Sequence, residues 1–313
     1  MSLPREPGPD DAAEARDSFR AFKERLDAVG FRPSRRLGQN FLLDATLHRV
    51  IADAVAPTAA DLVLEVGAGL GFLTRELAGR SRVLAVEIDP RLYAVLDAEL
   101  RRLGPRGATV ELLHSDVLQR SRIHPDVAAR LTALQQVTQG RFLVAANLPY
   151  AISGPLLAEL VLMHVPPTEM ALLVQLEVAQ RICAAPGTKA FGALSALLQL
   201  AHTPRLLRRV SAQVFRPRPQ VESAIVHLGP PTGAFARRPA AARREVAVFL
   251  RQLFASRRKK LGNARVLAAM PRTEETRTLL DARAEELAPH VLLELFDRVA
   301  GATPDPGRDP RSS

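Results

Sequence analysis

One cysteine in 313 residues, Cys183, leaves no partner for an intramolecular disulfide and no set of thiolates for a Cys-rich zinc site. Tryptophan is absent, tyrosine occurs twice, and aromatics make up 4% of the chain, too few to build a stacking platform for long single-stranded nucleic acid. Long apolar runs are missing too. The longest, from Phe142 to Val165, is interrupted by Asn147, Pro149, Pro155 and Glu159, which excludes a membrane span. The opening residues, MSLPREPGPDDAAEARD, are charged and proline-rich rather than a signal peptide, so a soluble, cytoplasmic protein is expected. Acid is in deficit. Lysine and arginine exceed aspartate and glutamate to give a net charge of +10, which points to a polyanionic partner, nucleic acid before membrane.

Apolar residues are 47% of the chain, enough for one large or two modest cores. Residues 1–33 read as a tail followed by a helix, with Phe19, Phe22, Leu26 and Val29 at helical spacing and Gly30 as its stop. A second helix runs from Ala45 to Val55. From Asp61 short apolar runs (DLVLEV, RVLAVEID, ATVELLHSD, RFLVAAN) alternate with helical stretches, the pattern of a mostly parallel sheet covered on both faces. Residues 117–140 read as a polar, partly helical surface excursion, and SAIVHL (Ser223 to Leu228) as a late strand returning to the sheet. After GPPTG, helices are expected from Arg243 to Ala269 and from Glu285 to Val299. The expected division is therefore an α/β domain over 34–230, a helical domain over 231–300 and a disordered tail over 301–313.

The strand VLEV is followed directly by GAGLG. Glycines at 67, 69 and 71 let backbone N–H groups and a helix start approach a ligand closely. The dinucleotide fingerprint requires glycine at 72, where Phe72 stands, so a nucleoside without pyrophosphate fits better and a dehydrogenase fits poorly. Glu87 ends the next strand 20 residues after Gly67, where a carboxylate can accept from both ribose hydroxyls, and Asp116 ends the following one, where it can accept from an adenine amino group. Glycine loop, Glu and Asp in that order resemble the S-adenosylmethionine-dependent methyltransferases of Rossmann-like fold.

Asn147 ends the next strand and begins NLPYAISGPLL. An adenine amino group is a poor nucleophile because its lone pair is delocalised into the ring. The Asn147 side-chain oxygen, with the Leu148 or Pro149 backbone carbonyl, can hold its hydrogens out of plane. Tyr150 can stack on the ring, and Pro149 fixes the backbone that aims these groups. The pattern points to an amino-group clamp that needs no strong general base.

RRLGQNFLLD, LEVGAGLGFLT, VEIDP, SDVL, NLPYAISGPLL, QLEVAQRI, FGALS, VFRPRPQVESAIV and FASRRKKLGNA together resemble the KsgA/RsmA ribosomal RNA adenine N6-dimethyltransferases, over about 33–264. The resemblance implies a Rossmann-like class I methyltransferase sheet with a small C-terminal helical domain. It implies dimethylation of two adjacent adenosines in the 3′-terminal hairpin of 16S small-subunit ribosomal RNA, in a pre-ribosomal 30S particle, by a monomer that uses S-adenosylmethionine and no metal. By the same resemblance Gln39, Asn40, Leu42, Gly67, Gly69, Glu87, Asp116 and Asn147 hold the donor. Asn147, Leu148, Pro149 and Tyr150 form the clamp, and Phe215 sandwiches the base against Tyr150. Departures from the usual pattern are Ala68, Ala151, Gly154, Gln220 and Glu222, with a longer excursion before Arg141 and extended termini.

Basic clusters occur at 35–36, 205–209, 216–218, 237–244 and 257–260. The last, with Arg257, Arg258, Lys259 and Lys260, falls in the helical region where the family docks ribosomal RNA and is expected to bind it. Shape recognition of folded RNA with one flipped base fits this composition. Two other readings stay open: an antibiotic-resistance enzyme that methylates adenine in large-subunit RNA, and a non-catalytic RNA-bound assembly or transcription factor.

Overall fold

The structure, a computed structural model, describes Asp27, residues 30–34, 39–231, 233–255, 259–268, Met270 and 272–302. Apart from Asp27 and Gly30, the expected first helix lies outside these residues, as do the N-terminal tail, residues 303–313 of the expected C-terminal tail, Arg35, Arg36, Arg257 and Arg258. The chain divides into two compact units. The first takes the residues up to Leu160, Val165–Ala179 and Arg205–Pro230; the second takes Val161–His164, Gln180–Pro204 and the residues from Pro231 on.

The apolar runs without alternation become strands buried on both faces, as a sheet covered by helices on each side requires. All five side chains of β2 (Leu62–Val66) are buried. After a two-residue strand β1 (Phe41–Leu42), the main sheet adds β3 (Arg82–Glu87), β4 (Val110–His114), β7 (Phe142–Asn147), β8 (Glu169–Gln175), β9 (Thr203–Val210) and β11 (Ser223–Gly229). Their spatial order is β4-β3-β2-β7-β8-β11-β9. The pairs β2–β3, β3–β4, β2–β7 and β7–β8 are parallel, whereas β11 returns antiparallel to β8 with Ser223 opposite Gln175.

Helix α1 (Ala45–Val55) starts where the Asp44 carboxylate accepts the Leu47 N–H, and it buries Leu47, Ile51 and Val55 at i, i+4 and i+8. That stripe packs against β7 and β8. Helix α2 (Phe72–Leu77) follows β2. Helix α3 (Pro90–Arg102) opens with Asp89 as cap and proline as its first residue, both favoured there. Truncating a fully buried strand leucine beneath these helices, such as Leu143, costs about 2–5 kcal/mol through lost burial and the cavity left behind.

The excursion is more ordered than its polarity suggests. A hairpin of β5 (Leu118–Gln119) and β6 (Arg122–Ile123) turns through Arg120 and Ser121, both at positive φ. Helix α4 (Pro125–Val137) then buries Val127, Leu131 and Leu134. Helix α5 (Ser153–Val161) leads to β8, and α6 (Leu176–Ile182) follows it.

The helical unit resumes at Pro231, but it also takes Val161–His164 and Gln180–Pro204 from mid-chain, which the expected division placed in the α/β domain. The cause is the apolar helix α7 (Ala193–Ala201), whose buried Leu197, Leu198 and Leu200 pack against α8 (Ala240–Phe254) and α10 (Pro289–Ala302). The expected helix from Arg243 to Ala269 also needs correction, since α8 ends at Phe254 and 3₁₀ turns follow at Leu261–Asn263 and Arg265–Leu267. A further helix, α9 (Glu274–Asp281), was not expected; Thr273 caps it. Among the described residues no helix is long and apolar enough to cross a membrane.

Candidate active site

The chain passes from β2 to β3 on one side of the sheet and later returns as β7 on the other. The carboxyl ends of β2 and β7 thus flank a topological switch point, where open α/β sheets hold ligands. A crevice lies there, lined by the 39–42 segment, the β2–α2 turn, Glu87 and residues 147–150.

Gly67, Gly69 and Gly71 all adopt positive φ (71°, 56° and 74°), a conformation costly for residues with a Cβ. Gly67 has a second constraint, because an added Cβ would lie 3.3 Å from Cδ of Pro149. The glycine turn and the NLPY stretch are therefore packed on each other. The Gly67 and Ala68 N–H groups both donate to the Val86 carbonyl (2.9 and 3.2 Å), which ties the turn to β3.

Glu87 is 4% exposed. Its Oε2 accepts the Gly69 N–H at 2.7 Å and its Oε1 the Asp89 N–H at 2.8 Å. Burial raises its pKa, and these backbone donors oppose the rise. The carboxylate is held rigid, and each oxygen keeps a lone pair for another donor. Asp116 follows β4 at the same sheet edge but does not line the crevice; it is exposed, and its Oδ1 accepts the Leu118 N–H at 3.0 Å.

Gln39 locks the 39–42 segment against this edge. Its Oε1 accepts the Ser34 N–H at 2.7 Å, and its Nε2 donates to Asp89 Oδ2 at 3.3 Å. The Asn40 carbonyl accepts a long hydrogen bond from Asn147 Nδ2, 3.5 Å. Leu42 is buried at the base of the crevice.

Asn147, with its amide nitrogen turned to Asn40, meets no donor at Oδ1 among the described residues. The two carbonyls proposed to work with it differ. That of Pro149 is engaged by the Ile152 N–H (3.2 Å) and the Ser153 hydroxyl (3.1 Å). That of Leu148 receives no hydrogen bond among the described residues, while the Leu148 N–H donates to the Leu173 carbonyl and its side chain is buried. Asn147 Oδ1 and the Leu148 carbonyl are therefore the free acceptors. Tyr150 is positioned by its hydroxyl, 2.7 Å from Ser223 Oγ at the start of β11, and burial raises its pKa.

Phe215 needs correction. It sits in the short strand β10 (Phe215–Arg216), opposite Leu42 of β1, and is fully buried in the core with Leu42, Leu47 and Val210. Strand alternation turns Phe215 inward and Arg216 to solvent. Phe215 is not among the residues that line the crevice.

Two lining residues had no place in the sequence reading. Glu65, in the middle of β2, is 2% exposed, and its Oε2 has no hydrogen-bond partner. Burial lifts its pKa from 4.5 to about 8, with Thr74 opposing and the Glu87 carboxylate adding to the rise. His48 of α1 is buried, stacked on Phe72 with ring centroids 5.6 Å apart, and directs Nε2 at the Leu42 carbonyl (3.1 Å). Burial lowers its pKa to about 4, and Nδ1 has no partner. A polar residue interrupting an apolar strand beside a glycine turn was a legible signal for Glu65. Nothing in the sequence marked His48.

Of the basic cluster, Lys259 and Lys260 are described, both exposed in the helical unit, with Lys260 Nζ 3.0 Å from Asp281. Among the described residues no group of side chains suits a metal ion.

The family model for ribosomal RNA adenine dimethylase matches residues 30–300. The chain is 42% identical over 279 residues to the ribosomal RNA small subunit methyltransferase A of Rubrobacter xylanophilus, covering 86% of this chain and 96% of that protein. It is 39% identical over 244 residues to the protein of the same name from Opitutus terrae, covering 77% and 82%. Among solved structures, a dimethyladenosine transferase from Plasmodium falciparum shares the fold, with a TM-score of 0.65 over 82% of this chain and 96% of that one at 22% identity.

Proposed function

As this chain belongs to the ribosomal RNA adenine dimethylase family, we propose that it transfers methyl groups to the N6 amino groups of two adjacent adenosines in the 3′-terminal hairpin of 16S small-subunit ribosomal RNA. The relatives named for the small subunit support that target over large-subunit RNA. The working form is a cytoplasmic monomer acting on a pre-ribosomal 30S particle. The observation that carries the reading is the pairing, in one crevice, of a rigid ribose-type acceptor at Glu87 with two free acceptors at Asn147 Oδ1 and the Leu148 carbonyl.

The residues present fit S-adenosylmethionine. The Gly67 turn packs tightly against Pro149 at positive φ, Glu87 is fixed as an acceptor, and Glu65 offers an unpartnered buried oxygen. When bound, this cofactor supplies an electrophilic methyl group on a sulfonium. Gly67, Gly69 and Glu87 hold the nucleoside end, with Gln39, Asn40 and Leu42 closing one side and Asp116 reached from the neighbouring strand end. Asn147 and Leu148 accept the two amino hydrogens and turn the nitrogen lone pair out of the adenine plane. Tyr150 stacks on the base, its orientation set by Ser223. Holding the reactants in line can supply about 7–11 kcal/mol of a barrier, and the nitrogen, acidic once methylated, then gives its proton to water, so no strong general base is required. Arg257, Arg258, Lys259 and Lys260 contact the RNA backbone.

The test is methyl transfer from labelled S-adenosylmethionine to unmodified small subunits and, separately, to unmodified large-subunit RNA, with nucleoside analysis of the product. N6,N6-dimethyladenosine from the small subunit alone is expected. Product from large-subunit RNA alone would overturn the target. No product from either, with donor binding intact, would overturn the activity.

A further inference from the structure

Between Glu177 and Glu222 the sequence contains no acidic residue, yet it carries Arg181, Lys189, Arg205, Arg208, Arg209, Arg216 and Arg218. Three of these lie on β9, the last strand of the main sheet, which among the described residues pairs with β11 on one side only. A strand of such a sheet normally buries at least one row of side chains. Here Val210 alone is fully buried, and every residue from 205 to 209 is exposed. Alternation places Leu206 and Arg208 on the same side as Val210, and Arg205, Leu207 and Arg209 on the other. The strand therefore offers guanidinium groups to both sides and beyond its free edge.

Arg205, Arg208 and Arg209 form no ion pair among the described residues, whereas Arg80, Arg101, Arg130, Arg141 and Arg238 each meet a carboxylate. Charged side chains on an edge strand can serve only to prevent edge-to-edge pairing. That role needs one or two charges. It does not account for three unpaired arginines in a stretch cleared of acids, with Arg218 exposed and unpaired nearby in sequence and Leu206 and Leu207 exposed between them (36% and 42%).

We propose that the β9 edge is a second RNA-gripping surface, in which Arg205, Arg208 and Arg209 hold phosphates of the folded ribosomal RNA whose adenosine enters the crevice. The inference rests on the ribosomal RNA reading above. Arginine suits the task because its planar fork donates two hydrogen bonds to one phosphate. Arg205 and Arg209 stand about 13 Å apart along one side of the strand, a reach of several phosphates, and β9 lies three strand spacings, about 14 Å, from β7 where the clamp begins. Grip at that distance fixes the approach of a duplex by its shape while a single base is extruded.

Binding of unmodified small-subunit particles is measured between 50 and 200 mM salt for the wild type, for Arg205→Gln/Arg208→Gln/Arg209→Gln, and for the corresponding triple lysine variant. Donor binding is followed by calorimetry in each. The glutamine variant should bind about tenfold to a hundredfold more weakly near 150 mM salt, with a salt slope shallower by about two, while the lysine variant keeps most of the slope. Donor affinity should be unchanged, which shows that the fold is intact. A glutamine variant with wild-type affinity and slope would overturn the proposal while leaving methyl transfer intact. Loss of a dimer by that variant, seen in sedimentation, with RNA binding unaltered, would also overturn it and assign the edge to a second copy. A wild-type protein that neither binds nor methylates small-subunit particles would overturn the ribosomal RNA reading itself.

Discussion

Glu65 gives the crevice a signature in the stability of the whole protein. Burial raises the pKa of its carboxyl from an ordinary 4.5 to about 8, so the folded state prefers it protonated. For an acid whose folded pKa is raised, the folded state binds more protons than the unfolded one between those two values, and stability falls as pH rises through that window. The difference of about 3.5 pH units corresponds to roughly 5 kcal/mol, accumulated between pH 4.5 and 8 and constant above. A site buried to 2% exposure receives little screening to reduce this figure. His48 works in the opposite sense: its folded pKa of about 4 lies below 6.5, so its contribution, about 3 kcal/mol, is lost as pH falls from 6.5 to 4. Between pH 4.5 and 6.5 the two slopes cancel. Above 6.5 only that of Glu65 remains.

Glu65→Gln keeps the shape of the side chain and removes the ionisation. Urea unfolding is followed by circular dichroism, since there is no tryptophan to report by fluorescence. The variant should match the wild type near pH 4.5 and gain on it steadily, by roughly 5 kcal/mol at pH 8.5. Stability curves that run parallel from pH 5 to 8.5 would refute the buried, unpartnered carboxyl. A cationic ligand beside Glu65 favours its charged form, so donor binding near pH 7 should release a proton from the wild type and none from the variant.

Three further outcomes follow from the geometry. Asn147→Ala should abolish methyl transfer out of proportion to any loss of donor affinity, and wild-type turnover in that variant would end the clamp assignment. Phe215→Leu should keep most of the activity, while Phe215→Ala costs about 3–5 kcal/mol of stability, as for a core aromatic; methyl transfer lost in the leucine variant at unchanged stability would restore Phe215 to the crevice. Gly67→Ala should cost about 1–2 kcal/mol for its left-handed backbone alone and also weaken methyl transfer by displacing Pro149, read by unfolding and by kcat/KM; an alanine variant indistinguishable from the wild type would separate the turn from the clamp.

The parts of this molecule that could be read from sequence are those whose physics is local. Leu62–Val66 and Phe142–Asn147 are buried on both faces, so the continuous apolar run is itself the evidence for a strand. The helix Ala45–Val55 matches its expected bounds because Asp44 caps one end and Ala56 with Pro57 closes the other. Gly67 and Gly69 were legible because left-handed backbone leaves a residue-type mark.

What escaped depends on neighbours distant in the chain. The apolar α7 gives no sign in its own sequence that its partners are α8 and α10 rather than the sheet, and Gln180–Pro204 joins the helical unit for that reason. Phe215 belongs to a motif, but its ring goes where the pairing of β10 with β1 turns it. The choice between the Leu148 and Pro149 carbonyls is of the same kind. Both lie in one dipeptide, and only the turn that brings Ile152 and Ser153 back onto Pro149 leaves Leu148 free. The residue types at the clamp were thus readable in advance, whereas the atom that accepts the second amino hydrogen is set by two hydrogen bonds made by residues three and four positions further on.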